Sequence, residues 1–238
     1  MMQFFLKTFL SILICKGAFA QVTGSAKSGC IGDINTLRNL HVNTPNLAWS
    51  DTLATAAQSW AEHLAAQGEL AHASNSERNG DGENLYQSKS IRSALCADAL
   101  LAWYKEEANY NYITGSPTIE GKIIGHFTQV VWKGTKTFGV GIATKNVMSD
   151  GDVLKETYIV ARFSPAGNYD GQYVANVGQR KSGAITPSLH ELEASVCTNL
   201  KAAGWCGYFL DNASALQEYG GCSNAGVHQG CYKTCTGC

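Results

Sequence analysis

Six of the nine cysteines, Cys197, Cys206, Cys222, Cys231, Cys235 and Cys238, crowd the end of the chain, while Cys30 and Cys96 stand alone far upstream. That spacing divides the sequence in two. The tail has too few large apolar side chains for a core, and a segment of this size needs covalent staples to hold one shape. The ninth, Cys15, lies in an apolar run, Thr8 to Cys15, which follows a cationic start at Lys7 and precedes Ala18-Phe19-Ala20. A cationic start, a short apolar run and an Ala-x-Ala exit describe a secretory signal, and the run is shorter than the roughly 20 residues of a membrane helix. Residues 1–20 are therefore read as a signal peptide and the mature chain as starting at Gln21. Eight cysteines remain, an even number suited to full pairing in an oxidising compartment. The expected localisation is secreted and extracellular, with no transmembrane segment.

The chain before the tail changes its hydrophobic period midway. Leu53, Ala57, Trp60 and Leu64 recur at three- and four-residue steps behind Ser50 and Asp51, which predicts an amphipathic helix with an N-cap. A second helical run spans Ser93 to Glu106, with Cys96 near its buried face. Further on, Phe138–Ala143 and Thr157–Phe163 have the β-branched and aromatic content of strands, and the turn-rich Asn146–Asp152 between them predicts a hairpin. Helices come mostly first and strands mostly last, so the fold class is α+β. The expected organisation is a first domain over 26–176, a linker over 177–196 of low apolar content, and a cysteine-rich module over 197–238. A formal net charge of −1 supplies no basic field for nucleic acid.

Particular segments carry a resemblance. Gly125-His126-Phe-Thr-Gln-Val-Val-Trp132-Lys133, Phe138-Gly-Val-Gly141 and Tyr158-Ile-Val-Ala-Arg162-Phe-Ser-Pro165-Ala-Gly167-Asn-Tyr169 resemble the signature segments of the CAP superfamily. That group includes cysteine-rich secretory proteins, venom allergens and plant pathogenesis-related proteins. Gly82-Glu83-Asn84-Leu85, Trp103-Tyr-Lys-Glu106 and Asn35-Thr-Leu-Arg38 follow in the family's order, although Ile34 stands where the first motif has a His. The resemblance implies a three-layer α-β-α sandwich and a cleft lined by His72, Glu83, Glu106 and His126. His72 and His126 are then candidate metal ligands, because neutral imidazoles suit zinc-like ions and nearby carboxylates orient the rings. A metal held by two histidines alone would bind weakly. The bland alternative is that both histidines simply hydrogen-bond to the carboxylates and hold helices to the sheet.

Other residues receive structural expectations. Trp60, Trp103, Tyr104 and Trp132 are expected as core or cleft-wall aromatics, Gly139, Gly141 and Gly167 as points of close backbone approach, and His41 and His63 at the surface. Arg162, Ser164 and Pro165 are expected to fix a strand exit. Asn212-Ala-Ser214 is a glycosylation sequon. Cys30 and Cys96 are the partners left if the tail's six pair among themselves, and that bridge is worth roughly 3–5 kcal/mol on the chain-entropy model; two free buried thiols are the alternative.

The closing Cys-x3-Cys-x2-Cys is similar to that of the ShK-toxin family. Six cysteines allow 15 connectivities, among which this resemblance implies Cys197–Cys238, Cys206–Cys231 and Cys222–Cys235. Between Cys222 and Cys231 the sequence lacks the Lys-Tyr pair with which that family's channel blockers plug a pore, and the second gap is longer than usual. For function, the resemblance implies an extracellular binding protein that engages a lipid, sterol or protein partner, with no nucleophile in a recognised triad motif to favour catalysis. The alternatives are a metal-dependent hydrolase, with Glu83 or Glu106 as base, and a venom or defence effector acting on membranes or channels.

Overall fold

The computed structural model describes Val22 and residues 24–184. The signal segment 1–20, the six tail cysteines, Asn212 and most of the expected linker lie outside the described residues. Within them a four-stranded sheet, with its strands in the order 48–49, 137–149, 152–164 and 82–90, carries helices on both faces, the α+β class expected from the sequence.

The hairpin is the spine. Strands β5 (Thr137–Ser149) and β6 (Asp152–Ser164) pair antiparallel along their whole length. They run longer than the sequence predicts because the turn needs only Asp150 and Gly151, at φ 52° and 92°, the positive values of a tight hairpin turn. Strand β2 (Gly82–Ser90) pairs antiparallel with β6, and the two-residue β1 (Ala48–Trp49) pairs parallel with β5.

Helix α2 (Asp51–Gln67) covers one face of the sheet. Ser50 caps it by accepting from the Leu53 amide, and Gly68 ends it in the left-handed conformation at φ 79°. Its inner face is small, with Ala54, Ala57 and Ala61 fully buried, while Trp60 is only half-buried and stacks on the exposed His63. The strand beneath is small too: a Cβ on Gly139 would sit 2.2 Å from the Ala54 nitrogen, and one on Gly141 2.1 Å from that of Gln58. Helix and strand thus touch backbone to backbone. Gln58 exploits that closeness, because its side-chain amide donates to the Ile142 carbonyl at 3.0 Å and accepts from the Ile142 amide at 2.9 Å.

The opposite face packs against α1 (Gly24–Arg38), α4 (Cys96–Tyr104) and α5 (Gly125–Val130). Alternation along β6 sorts the two cores: Tyr158 and Val160 lie under α2, and Ile159, Ala161 and Phe163 join Leu37, Trp103 and Phe127 on the other side. Helix α4 starts at Cys96, later than the Ser93 expected, because the Asp98 carboxylate accepts from the Leu95 amide and grips Arg92 at the helix entrance. A 3₁₀ turn, Lys105–Asn109, continues it. The Cys30–Cys96 bridge is formed, at a Cα separation of 5.6 Å, and ties the middle of α1 to the start of α4. The first motif is structural: Asn35 exchanges two hydrogen bonds with the Leu47 backbone, and buried Arg38 donates to the carbonyls of Pro45, Val130 and Trp132. Burial lowers the Arg38 pKa to about 10.

Two expectations change. His41, expected at the surface, is fully buried, because both ring nitrogens are satisfied there: Nδ1 lies 2.8 Å from the Gly178 carbonyl and Nε2 2.8 Å from the Tyr104 hydroxyl. The segment from Val177, read as the start of a linker, instead straps the domain. The Val42 amide donates to Gln179 and the Lys181 amide to Leu40, while Arg180 pairs with Glu107 at 3.0 Å. Backbone pairing holds this polar stretch, which carries no apolar pattern to reveal it.

Candidate functional site

The four residues assigned to the cleft by resemblance sit on four different elements. His72 follows α2 in the segment before α3 (Asn75–Arg78), Glu83 is the second residue of β2, Glu106 lies in the 3₁₀ turn, and His126 is the second residue of α5. The structure brings them together as two dyads. His72 Nδ1 lies 2.6 Å from Glu83 Oε1, and His126 Nδ1 lies 2.6 Å from Glu106 Oε1. Since a carboxylate accepts, each Nδ1 carries a proton, and Nε2 is the ring atom left for a lone pair whenever the imidazole is neutral.

The dyads rest on different supports. The Glu83 side chain is fully buried; its Oε1 also accepts from the Ala73 amide, and Arg162 Nη2 stands 2.9 Å from its Oε2. That approach is an ion pair by distance without the alignment of a hydrogen bond. Arg162 is the residue directly opposite Glu83 in the β2–β6 register, and burial lowers its proton affinity while the Glu83 charge raises it. Among the described residues, no arginine pairs with Glu106. Its Oε2 accepts from the amides of His126 and Phe127 in the first turn of α5, and the His126 ring lies parallel to Trp103 at 6.3 Å. Asn84 couples the two sides by donating from β2 to the His126 carbonyl at 3.0 Å.

A cleft of about 600 Å³ opens beside the first dyad. His72 and Glu83 line it together with Asn75, Arg78, Asp81 and Tyr169, whereas Glu106 and His126 lie outside its lining. One wall is the loop after β6, fixed by Gln129, which accepts from the Gly167 amide, and by Asn168, which donates to the Gly125 carbonyl. A Cβ at Gly167 would sit 2.7 Å from the Trp132 ring, so only glycine lets the loop close there. Among the described residues, no group of three or more His, Cys, Asp or Glu is arranged to hold a metal ion.

Arg162, Asn84 and the cleft residues Arg78, Asp81 and Tyr169 were not singled out from sequence as site residues. One signal was present for the first: an arginine inside the apolar strand Tyr158–Phe163 implies a buried counter-charge.

Known proteins resemble this chain in sequence and fold. Residues 31–163 match the family described as CAP, the cysteine-rich secretory protein family. Protein PRY2 of Saccharomyces cerevisiae is 37% identical over 148 residues, covering 62% of this chain but only 39% of that protein. Human cysteine-rich secretory protein 2 is 31% identical over 198 residues, covering 81% of this chain and 74% of its own. The crystal structure of NaASP2 with Zn2+ superposes with a TM-score of 0.50 at 21% identity, over 67% of this chain and 90% of that one.

Proposed function

The chain belongs to the cysteine-rich secretory protein (CAP) family, and on that premise we propose that it is a secreted protein that acts by binding a partner, not by catalysis. One observation carries the reading. Both site carboxylates are consumed in construction: Glu83 holds a ring, an amide and a buried arginine, and Glu106 holds a ring and two helix amides. Neither is placed to take a proton from water, which a hydrolase using them as base requires. What the dyads supply is two oriented imidazoles with open Nε2 atoms, a preorganised recognition surface.

The donor chemistry fits a zinc-like ion. His72 and His126 would hold it through Nε2, with Glu83 and Glu106 as the carboxylates that fix each ring. A bound ion would supply positive charge to the site. With two protein ligands the affinity is weak and is lost on acidification, because protons compete for the same lone pairs.

Among partner classes the polar cleft favours a protein. A lipid or sterol has a different place to dock: Ile113, Ile119 and Ile123, 84%, 60% and 64% exposed, gather on the segment between the 3₁₀ turn and α5. The proposal includes export after Ala20 and a stapled tail over 197–238. Zinc titration by calorimetry is expected to give a weak response that disappears in His126→Ala, and casein zymography no clearing. Clearing that a chelator abolishes would replace binding with hydrolysis.

A further inference from the structure

The cleft beside His72 has a wall chemistry that the dyads leave unused. Its lining is almost free of apolar side chains, with only Ala166 and the ring of Tyr169. A lipid tail would bury little apolar surface against such a wall. Its charges also balance: Arg78 and Asp81 both line it, and Glu83 is neutralised from behind by Arg162. Neither a phosphate nor a cation is drawn in by a net field. The volume of about 600 Å³ nonetheless falls in the range of small-molecule sites.

What remains is a set of open hydrogen-bonding groups. Among the described residues, Asn75 accepts from Arg78 through Oδ1 and keeps its amide N–H₂ unused. The His72 Nε2, the Asp81 carboxylate and the Tyr169 hydroxyl are likewise not engaged by any hydrogen bond among the described residues. The deeper wall differs, because Gln129 and Asn168 are each committed to the protein by both donor and acceptor. The cleft therefore has a satisfied, rigid back and a rim of free donors and acceptors. Tyr169, 51% exposed, adds one flat aromatic face.

Donors beside acceptors, balanced charge, few apolar side chains and one exposed ring match a polyhydroxylated ring. Sugar hydroxyls both give and accept; a carboxylate such as Asp81 takes two neighbouring O–H groups, a guanidinium donates to ring oxygens, and the C–H face lies on tyrosine. We propose that this cleft is a saccharide subsite that takes a neutral pyranose. The proposal rests on the binding reading above and sharpens it: the protein partner is one that carries glycan.

The test uses the full mature chain, isotope-labelled, in an NMR titration with methyl glycosides of mannose, galactose and N-acetylglucosamine, beside glucuronate and inorganic phosphate. At least one neutral glycoside is expected to shift the resonances of Asn75, Arg78 and Asp81 with millimolar affinity. Asp81→Asn and Tyr169→Ala, both at the rim and free of structural bonds, are each expected to weaken binding about tenfold. Silence towards every neutral glycoside, tighter binding of glucuronate or phosphate, or shifts that persist unchanged in both rim variants would each overturn the saccharide assignment. Because zinc is titrated into the same samples, loss of the sugar response with the zinc response retained refutes only this inference, whereas hydrolysis of a glycoside refutes the binding reading itself.

Discussion

The ion pair between Arg162 and Glu83 predicts a strongly non-additive pair of substitutions. The two side chains are 3% and 0% exposed and stand 2.9 Å apart across neighbouring strands. Arg162→Met removes the guanidinium and leaves a buried carboxylate held only by His72 and the Ala73 amide. Breaking a buried pair costs about 3–5 kcal/mol, and the surviving bonds place this variant near the lower end, about 3 kcal/mol. Glu83→Gln keeps an oxygen for His72 and Ala73 but strands the guanidinium, again at about 3 kcal/mol. With both changes no charge is left uncompensated, and the loss falls to about 3 kcal/mol in all, giving a coupling of about 3 kcal/mol. Urea denaturation of the oxidised chain and its three variants at neutral pH measures all four corners. Additivity of the single effects to within about 0.5 kcal/mol would show that the two charges do not sense each other, and the account of how His72 is held would fail with it.

Three further outcomes are expected. Gly141→Ala should destabilise by about 3 kcal/mol or more, since the new methyl would meet the Gln58 nitrogen at 2.1 Å and the backbone of α2 would have to move; an unchanged melting temperature would contradict the packing described. Acidification should destabilise the domain through His41, whose pKa is lowered chiefly by burial, with the Arg38 and Arg180 charges adding and the Glu107 charge and the Gly178 carbonyl opposing. The unfolded chain then takes up the proton first, so this contribution is complete above the ordinary value of about 6.5 and is lost as pH falls below it; His41→Asn should flatten that part of the urea midpoint profile, and an identical slope in the variant would refute it. A chain ending at Ala184 should melt cooperatively, whereas one ending at Asn176 strips partners from Leu40, His41 and Val42 and should melt lower; equal melting would return 177–181 to the status of a linker.

How much could be read beforehand depended on where the information lies along the chain. Helix α2 and the hairpin were legible because burial repeats at short intervals, and Leu53, Ala57 and Leu64 are indeed buried. His41 was illegible because the two groups that make its burial tolerable lie 63 and 137 residues away. The strap beginning at Val177 was missed for a related reason: main-chain groups hold it, and they look alike in every polar segment. For the site, motif resemblance pointed to His72, Glu83, Glu106 and His126, but their division into two dyads follows from strand register and from the first turn of α5. Arg162 makes the point most plainly. It was expected only to fix a strand exit, and the β2–β6 pairing is what sets it against Glu83.

The amide of Gln58 has a consequence for association between molecules. Among the described residues, strand β5 has a neighbour on its outer side only at Thr137 and Phe138, and the rest of that margin is where another chain could add a strand. By making with Ile142 both bonds that a fifth strand would make, Gln58 acts as a stopper supplied by a helix, and it breaks the ladder that an incoming strand needs. A single deamidation there would replace the donor with a carboxylate facing the Ile142 carbonyl. One covalent event on α2 would thus release the Ile142 carbonyl for the strand that Gln58 now excludes.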